Sequence, residues 1–390
     1  MMMLGVVLHT ALVYMPEGWI YTDSNPVEWS PILVWLIHIF RMSTFFVMAG
    51  FFGAMLYERR GALAFVRHRF DRIGVPLVVG WFVLFPLLTW SIVFAWTFTT
   101  IDPAGNGGFL ESVRIAWSRM PVATDWAEAG TGHLWFLYDL LWFYGAAVVL
   151  SAIVDRVPRL RTLMDRVVGA ALTGPIRFVT LLLLILLSFA LMLGMEEPGI
   201  DTSDSWYPDW YLMLTYLVPF GVGWVAWRHR AVVSELERWC WWLLAASIPL
   251  LIAATVGTLV WWVSEQDRTV FVVTQFLSAA ASWTTVLALA GCCERLLKRE
   301  RFWIRYLVDA SYWIYLAHLP LPIFVPALFR HWDAPGVVKM TLSIIVTFLV
   351  LLATYHVLVR GTILGVVLNG RRYPVLWIRR NRETEPAAVE

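Results

Sequence analysis

FVTLLLLILLSFALMLG, residues 178–194, carries no ionisable side chain and only Thr180 and Ser188 as polar groups. A helix needs about 20 predominantly apolar residues to cross the hydrocarbon of a bilayer. With its immediate flanks, 176–195, the run reads as one membrane span. Comparable runs recur on both sides of it, at 1–15, 32–56, 73–98, 133–154, 208–227, 240–263, 270–292, 303–329 and 337–359. The chain is therefore expected to be an all-α, polytopic membrane protein with about ten transmembrane helices. Composition agrees. Of 390 residues, 59% are hydrophobic and 15% charged, against ~25% charged in a soluble domain. The net charge of +2 gives no reason to expect a nucleic-acid partner.

The loops test the span count. Loop 16–31 holds Glu17, Asp23 and Glu28 without a base, and loop 196–207 holds Glu196, Glu197, Asp201 and Asp204 without a base. Loop 57–72 has Arg59, Arg60, Arg67, Arg69 and Arg72; loop 155–175 has Arg156, Arg159, Arg161 and Arg166. Arginines also fill loop 228–239, loop 293–302 and the tail, where Arg371, Arg372, Arg379, Arg380 and Arg382 lie. Basic and non-basic loops alternate as the positive-inside rule requires, which puts both termini in the cytoplasm. Loop 99–132, of mixed charge, then faces outward. Residues 1–360 are expected to form one transmembrane domain, and 361–390 a basic then acidic cytoplasmic tail. Cys240, Cys292 and Cys293 show no zinc or disulfide spacing, and no metal is expected.

The first span lacks the basic flank and cleavage site of a signal peptide, so it reads as a membrane helix. Its 15 residues cover only about 22 Å, which suggests that the true start lies upstream of Met1.

Ionisable groups within hydrocarbon are functional candidates. Here they are His9, His38, Arg41, Asp139, Asp309, His318 and His356. His38 and Arg41 share a face of the second helix, and Asp139 is a candidate partner for Arg41. In the ninth helix, Ser311, Tyr315 and His318 share a face, followed by Pro320, Pro322 and Pro326. Pro322 lacks the N–H that would bond the His318 carbonyl, so this stretch is expected to line a cavity. A plainer alternative is that an intramembrane histidine only hydrogen-bonds a neighbouring helix. In FVRHRFDRIGVP, 65–76, Arg69 and Arg72 are three apart and suit phosphate groups; lipid-headgroup anchoring is the alternative. Trp19, Trp29, Trp126, Trp206, Trp210, Trp261 and Trp262 fall toward the outside. They form either an aromatic belt or a platform for sugar rings.

Four stretches, VVLHTALVY at 6–14, HIFRMSTFFVMAGFF at 38–52, RHRFDRIGVP at 67–76 and SYWIYLAHLP at 311–320, appear in an order that resembles the acyltransferase-3 family of integral membrane acyltransferases. GHLWFLYDLLWFY at 132–144 adds to the likeness, which covers about 1–360 and leans toward the family's glucans biosynthesis group. The resemblance implies transfer of an acyl group, acetyl or succinyl, from cytoplasmic acyl-CoA to a hydroxyl of an envelope glycan at a bacterial inner membrane. It implies a catalytic role for His9 and donor binding by Arg69 and Arg72. A basic residue that the family places eleven positions before the histidine would fall before Met1. His9, whose ordinary pKa is about 6.5, suits the role of general base; a covalent acyl-histidine route stays open. Arg41 is assigned to the oxyanion or acceptor, and His318 is the second candidate for the chemistry. The competing readings are a transporter or flippase for a lipid-linked sugar or small anion, and a non-catalytic scaffold.

Overall fold

The structure, a computed structural model, describes residues 2–101, 108–173, 176–202, 205–299, 301–370 and 373. Its helices are α1 (Met2–Val13), α2 (Ser30–Arg60), α3 (Ala62–Arg69), α4 (Val75–Trp96), α5 (Gly108–Ser118), α6 (Ala123–Glu128), α7 (Trp135–Arg156) and α8 (Pro158–Thr173). There follow α9 (Arg177–Met192), α10 (Trp210–Arg228), α11 (Ala231–Val263), α12 (Arg268–Leu296), α13 (Phe302–Ala317), α14 (Pro320–Phe329), α15 (Gly336–Thr354) and α16 (Ile363–Asn369). No strand occurs among the described residues.

Seven continuous helical stretches among the described residues are long and apolar enough to cross a membrane. Two bent pairs, one running through α8 and α9 and one through α13 and α14, raise the number to nine if each is one crossing. Apolar α1 is the short tenth segment. Every expected span thus has a helical counterpart. Two expected loops differ. The 155–175 segment contains α8, whose Arg159, Arg161, Asp165 and Arg166 alternate with apolar residues, and the 99–132 segment contains α5 and α6. Helices that mix charged and apolar residues along their length escape a search for apolar runs.

The expected unbroken ninth span, 303–329, is two helices bent by 79° at His318–Leu319. The cause is local. Pro320 and Pro322 open α14, where a missing N–H costs little, but neither can extend α13. Contrary to the sequence expectation, the His318 carbonyl is not left free at Pro322: the Leu321 N–H donates to it at 3.0 Å.

The loops sort by charge as their alternation demands. At one end Arg228 reaches Glu58 at 2.8 Å and Asp165 at 4.0 Å, and Lys298 reaches Glu237 at 2.6 Å. At the other end the Trp206 indole donates to the Ala129 carbonyl at 2.9 Å, and the Gln275 amide to the Glu197 carbonyl at 3.2 Å. The arginines of the tail from 371 onward lie outside the described residues. Within the bundle, α2 and α10 pack backbone on backbone at Gly50 and Gly223. A Cβ on Gly50 would collide with the Phe220 carbonyl, and one on Gly223 with the Val47 carbonyl. Small residues permit this approach where no hydrophobic force separates helix from lipid.

Helix α1 sits inside the bundle against α2, α13, α14 and α15. From Met2 to Val13 it rises about 18 Å. Its C-terminal carbonyls find partners because the following loop folds back over them. Trp19, Asp23 and Val27 donate N–H groups to the Leu12, Val13 and Tyr14 carbonyls at 3.4, 3.2 and 2.8 Å. This cap is tied to α14 and α15. Lys339 forms an ion pair with Asp23, both side chains fully buried, and donates to the Ser24 hydroxyl at 2.9 Å. The Tyr21 hydroxyl donates to the Ile323 carbonyl at 2.9 Å, and the Asn25 amide to the Ala334 carbonyl at 2.9 Å. Lys339 is not among the intramembrane charges expected from the sequence, and here it anchors the loop that closes α1.

Lys339→Met leaves Asp23 buried without its cation and should lower unfolding free energy by about 3–5 kcal/mol. Replacing Asp23 by Leu in the same chain should return most of that loss. Thermal unfolding of the two purified variants in detergent checks both.

Candidate active site

The bend between α13 and α14 organises the polar interior. Since Pro320 has no N–H, the carbonyl of Leu316 loses its helical donor. The ring of His133, at the entry to α7, supplies one instead: its Nε2 lies 2.8 Å from the Leu316 oxygen. A carbonyl can only accept, so Nε2 of His133 carries the proton. One residue earlier, the Tyr315 carbonyl receives Nδ1–H of His318 at 2.7 Å. The Tyr315 hydroxyl returns a bond to the His133 carbonyl at 2.8 Å. Two histidines are thus held by the exposed end of one broken helix.

Against them stands α1. The ring centroids of His9 and His318 are 5.2 Å apart, those of His133 and His318 5.5 Å, and those of His9 and Trp19 5.9 Å. His318 is buried, whereas His9 keeps some accessible surface. Arg41, 8% exposed, reaches in from α2. A Cβ on Gly5, one turn before His9, would lie 3.0 Å from Nη1 of Arg41 and 3.5 Å from Nε2 of His318. Glycine at this position lets the guanidinium lie against the α1 backbone.

Among the described residues Arg41 has no ion pair, and its buried Nε has no hydrogen-bond partner. The expected contact with Asp139 is not formed within 4.0 Å. Asp139 is itself buried on α7, with Oδ2 unpartnered. A guanidinium held in the protein interior without a carboxylate or carbonyl is suited to an anion that arrives with a ligand or develops during reaction.

Arg69 and Arg72 lie apart from this cluster, around a π-helical turn at Phe70–Gly74. The Arg69 guanidinium stacks on Tyr144 at 4.6 Å and Phe65 at 5.3 Å. Arg72 donates to the Leu368 carbonyl of α16 at 2.6 Å. Among the described residues neither pairs with a carboxylate, so both retain charge for an anion. A row of rings on α13 leads from them to the cluster. The Tyr312 hydroxyl donates to the Arg72 carbonyl at 2.6 Å, Tyr312 stacks on Tyr315 at 6.5 Å, and Tyr315 neighbours His318 at 6.3 Å. From residue 312 to 318 the helical rise is about 9 Å.

Other sequence candidates take structural roles. His38 bonds the Ile200 carbonyl at 2.9 Å. In the loop that supplies this carbonyl, burial and neighbouring carboxylates push the Glu197 and Asp201 carboxyls upward. Asp309 pairs with Arg305 at 3.5 Å. His356 neighbours Tyr306, and Ser311 bonds the Val308 carbonyl of its own helix at 2.6 Å. Sequence reasoning missed His133, although it lies in the stretch GHLWF that carries part of the family likeness. A histidine after glycine at the mouth of an apolar helix was the available signal. Trp81, Trp126 and Trp206 gather around the segment that precedes it, with Trp81 and Trp206 donating to the Gly130 and Ala129 carbonyls.

Residues 1–356 match the acyltransferase domain family. Among curated proteins, the chain is 24% identical over 384 residues to glucans biosynthesis protein C of Salmonella paratyphi B, covering 95% of this chain and 92% of that one. The corresponding protein of Salmonella agona is 24% identical over 381 residues, with the same coverage of both chains. No solved structure matches.

Gly5→Leu would drive a side chain into Arg41 and His318 and should cost about 1–3 kcal/mol of stability by overpacking. Gly5→Ala needs only a few tenths of an ångström from the flexible Arg41 tip and should cost less than about 1 kcal/mol. Thermal unfolding of both variants beside the unsubstituted protein measures the difference.

Proposed function

The chain belongs to the acyltransferase-3 family of integral membrane acyltransferases, and from that premise we propose that it moves an acyl group from acyl-CoA to a hydroxyl of a cell-envelope glycan. Membership in a family of transferases displaces the transporter and scaffold readings. One observation carries the proposal. His9, His133 and His318 meet beside Arg41, which has no ion pair among the described residues, at the inner end of a tyrosine row that starts at Arg72.

Arg69 and Arg72, uncompensated by carboxylates, hold the phosphates of CoA at the basic end of the bundle. That end, with both termini, faces the cytoplasm of a bacterial inner membrane. The pantetheine arm follows the Tyr312–Tyr315 row and places the thioester at His9. The acceptor glycan enters from the opposite end, where Trp19 borders His9. The acceptor oxygen attacks the thioester carbonyl carbon while the His9 imidazole takes the hydroxyl proton. The new C–O bond forms, the C–S bond breaks, and the proton passes from His9 to the departing thiolate. Arg41 faces the oxyanion. The glucans biosynthesis relatives favour a periplasmic glucan as acceptor. Residues 1–360 form the transferase domain, with 361–390 as its tail.

Inverted membrane vesicles carrying the protein test this reading. Supplied with labelled acetyl-CoA or succinyl-CoA, they should pass label to glycan with release of free thiol. His9→Ala should lower that rate by about 10²-fold or more. Arg72→Met should raise KM for the donor by about tenfold with kcat little changed. Transfer by His9→Ala at the unsubstituted rate would remove His9 from the chemistry.

A further inference from the structure

Among the described residues two buried ring nitrogens have no hydrogen-bond partner: Nδ1 of His9 and Nε2 of His318. They belong to rings 5.2 Å apart. Their protonation states are not independent. The bond from His318 Nδ1 to the Tyr315 carbonyl fixes the proton on Nδ1, because a carbonyl has none to give. A neutral imidazole with its proton on Nδ1 presents a lone pair at Nε2. The His318 Nε2 is therefore an acceptor in want of a donor. It is held in place by a main-chain carbonyl at the break between α13 and α14.

We infer that His318 is the positioning residue for His9: the two nitrogens are not bonded to each other as the rings stand, and a turn of the His9 imidazole brings its Nδ1–H onto Nε2 of His318 and leaves the lone pair of His9 on its own Nε2 for the acceptor hydroxyl. The inference rests on the acyl-transfer reading with His9 as base. Unsupported, a neutral histidine divides between two tautomers and turns about its Cα–Cβ bond. A fixed acceptor behind Nδ1 ends both freedoms. This is the part a buried aspartate plays in a serine hydrolase triad. An ionised carboxylate here would have to be desolvated in the bundle interior. A neutral imidazole does the same work without a charge. It also leaves the nearby Arg41 guanidinium uncompensated and available to the reacting carbonyl. In the transfer step, the proton from the acceptor hydroxyl goes to His9 Nε2. The Nδ1 proton stays on His9, in its bond to His318, and the Nε2 proton leaves with the thiolate.

Glutamine and asparagine at 318 separate this role from packing. Both are polar and of similar size. The side-chain oxygen of Gln reaches the position of histidine Nε2, and that of Asn only the position of Nδ1. In the vesicle assay, His318→Gln should keep kcat within about tenfold of the unsubstituted protein, and His318→Asn should lose about 10²-fold. KM for acyl-CoA should stay within about twofold in both, since the acceptor bond orients the base and does not bind donor. Thermal unfolding in detergent confirms that each variant folds; if His318→Asn does not, His318→Leu takes its place with the same expected loss. Equal kcat in the two variants overturns the inference, and so does a loss confined to KM, which would assign His318 to Arg41 and substrate binding. His9→Ala is run alongside. If it transfers label at the unsubstituted rate, the acyl-transfer reading with His9 as base has failed. If it is silent while His318→Asn is fully active, only the role of His318 has failed.

Discussion

A helix that breaks inside a membrane must find donors for the carbonyls it exposes, because no bulk water reaches them. The arrangement of this site follows from that constraint. Pro320 withdraws the donor from Leu316, and His133 replaces it. The adjacent Tyr315 carbonyl takes His318. The break thus recruits two imidazoles and dictates which nitrogen of each bears a proton. Tyr315 closes the loop by donating its hydroxyl to the His133 carbonyl. A straight α13 with alanine at 320 would satisfy Leu316 within the helix and leave His133 without its partner.

Lys339 and Arg41, both buried in the bundle, are treated in opposite ways. Lys339 is matched by Asp23, Ser24 and a closely packed cap, and its charge is consumed in holding that cap over the end of α1. Arg41 is buried too, yet has no such partner among the described residues. The first arrangement makes sense as architecture: the C-terminal end of α1 is closed by a loop locked to α14 and α15. The second leaves a guanidinium able to meet an anion supplied by a substrate or by the reaction. The cap and the site meet at Trp19, which belongs to the first and neighbours His9 of the second.

The basic end has its own division of labour. Arg228 and Lys298 are engaged by Glu58 and Glu237 and tie helices together. Arg69 and Arg72 are engaged by rings and carbonyls, which orient a guanidinium without cancelling its charge. The π-helical turn between them widens the helix where α16 packs and where Tyr312 takes up the Arg72 carbonyl. Along α13, the row from Tyr312 to His318 then links the charged mouth to the histidine cluster.

The apolar helices and their order were legible in the sequence, since crossing hydrocarbon demands long apolar runs and leaves charge in the loops, whereas α5, α6 and α8 were not. His9, Arg41 and His318 could be singled out for the same reason: an ionisable group is conspicuous in an apolar run. Their meeting could not. It depends on α1 lying inside the bundle, on Gly5 admitting Arg41, and on a 79° bend where a straight span was expected. The partners also escaped sequence reasoning. Asp139 was the nearest carboxylate by depth, yet it does not pair with Arg41, and Asp23 reaches Lys339 from the far end of the chain. Hydropathy and residue type set how deep each group sits, because that is a one-dimensional property of a span. Which groups face one another is set by helix rotation, packing and the hydrogen bonds of a broken backbone, and these exist only once the helices have assembled.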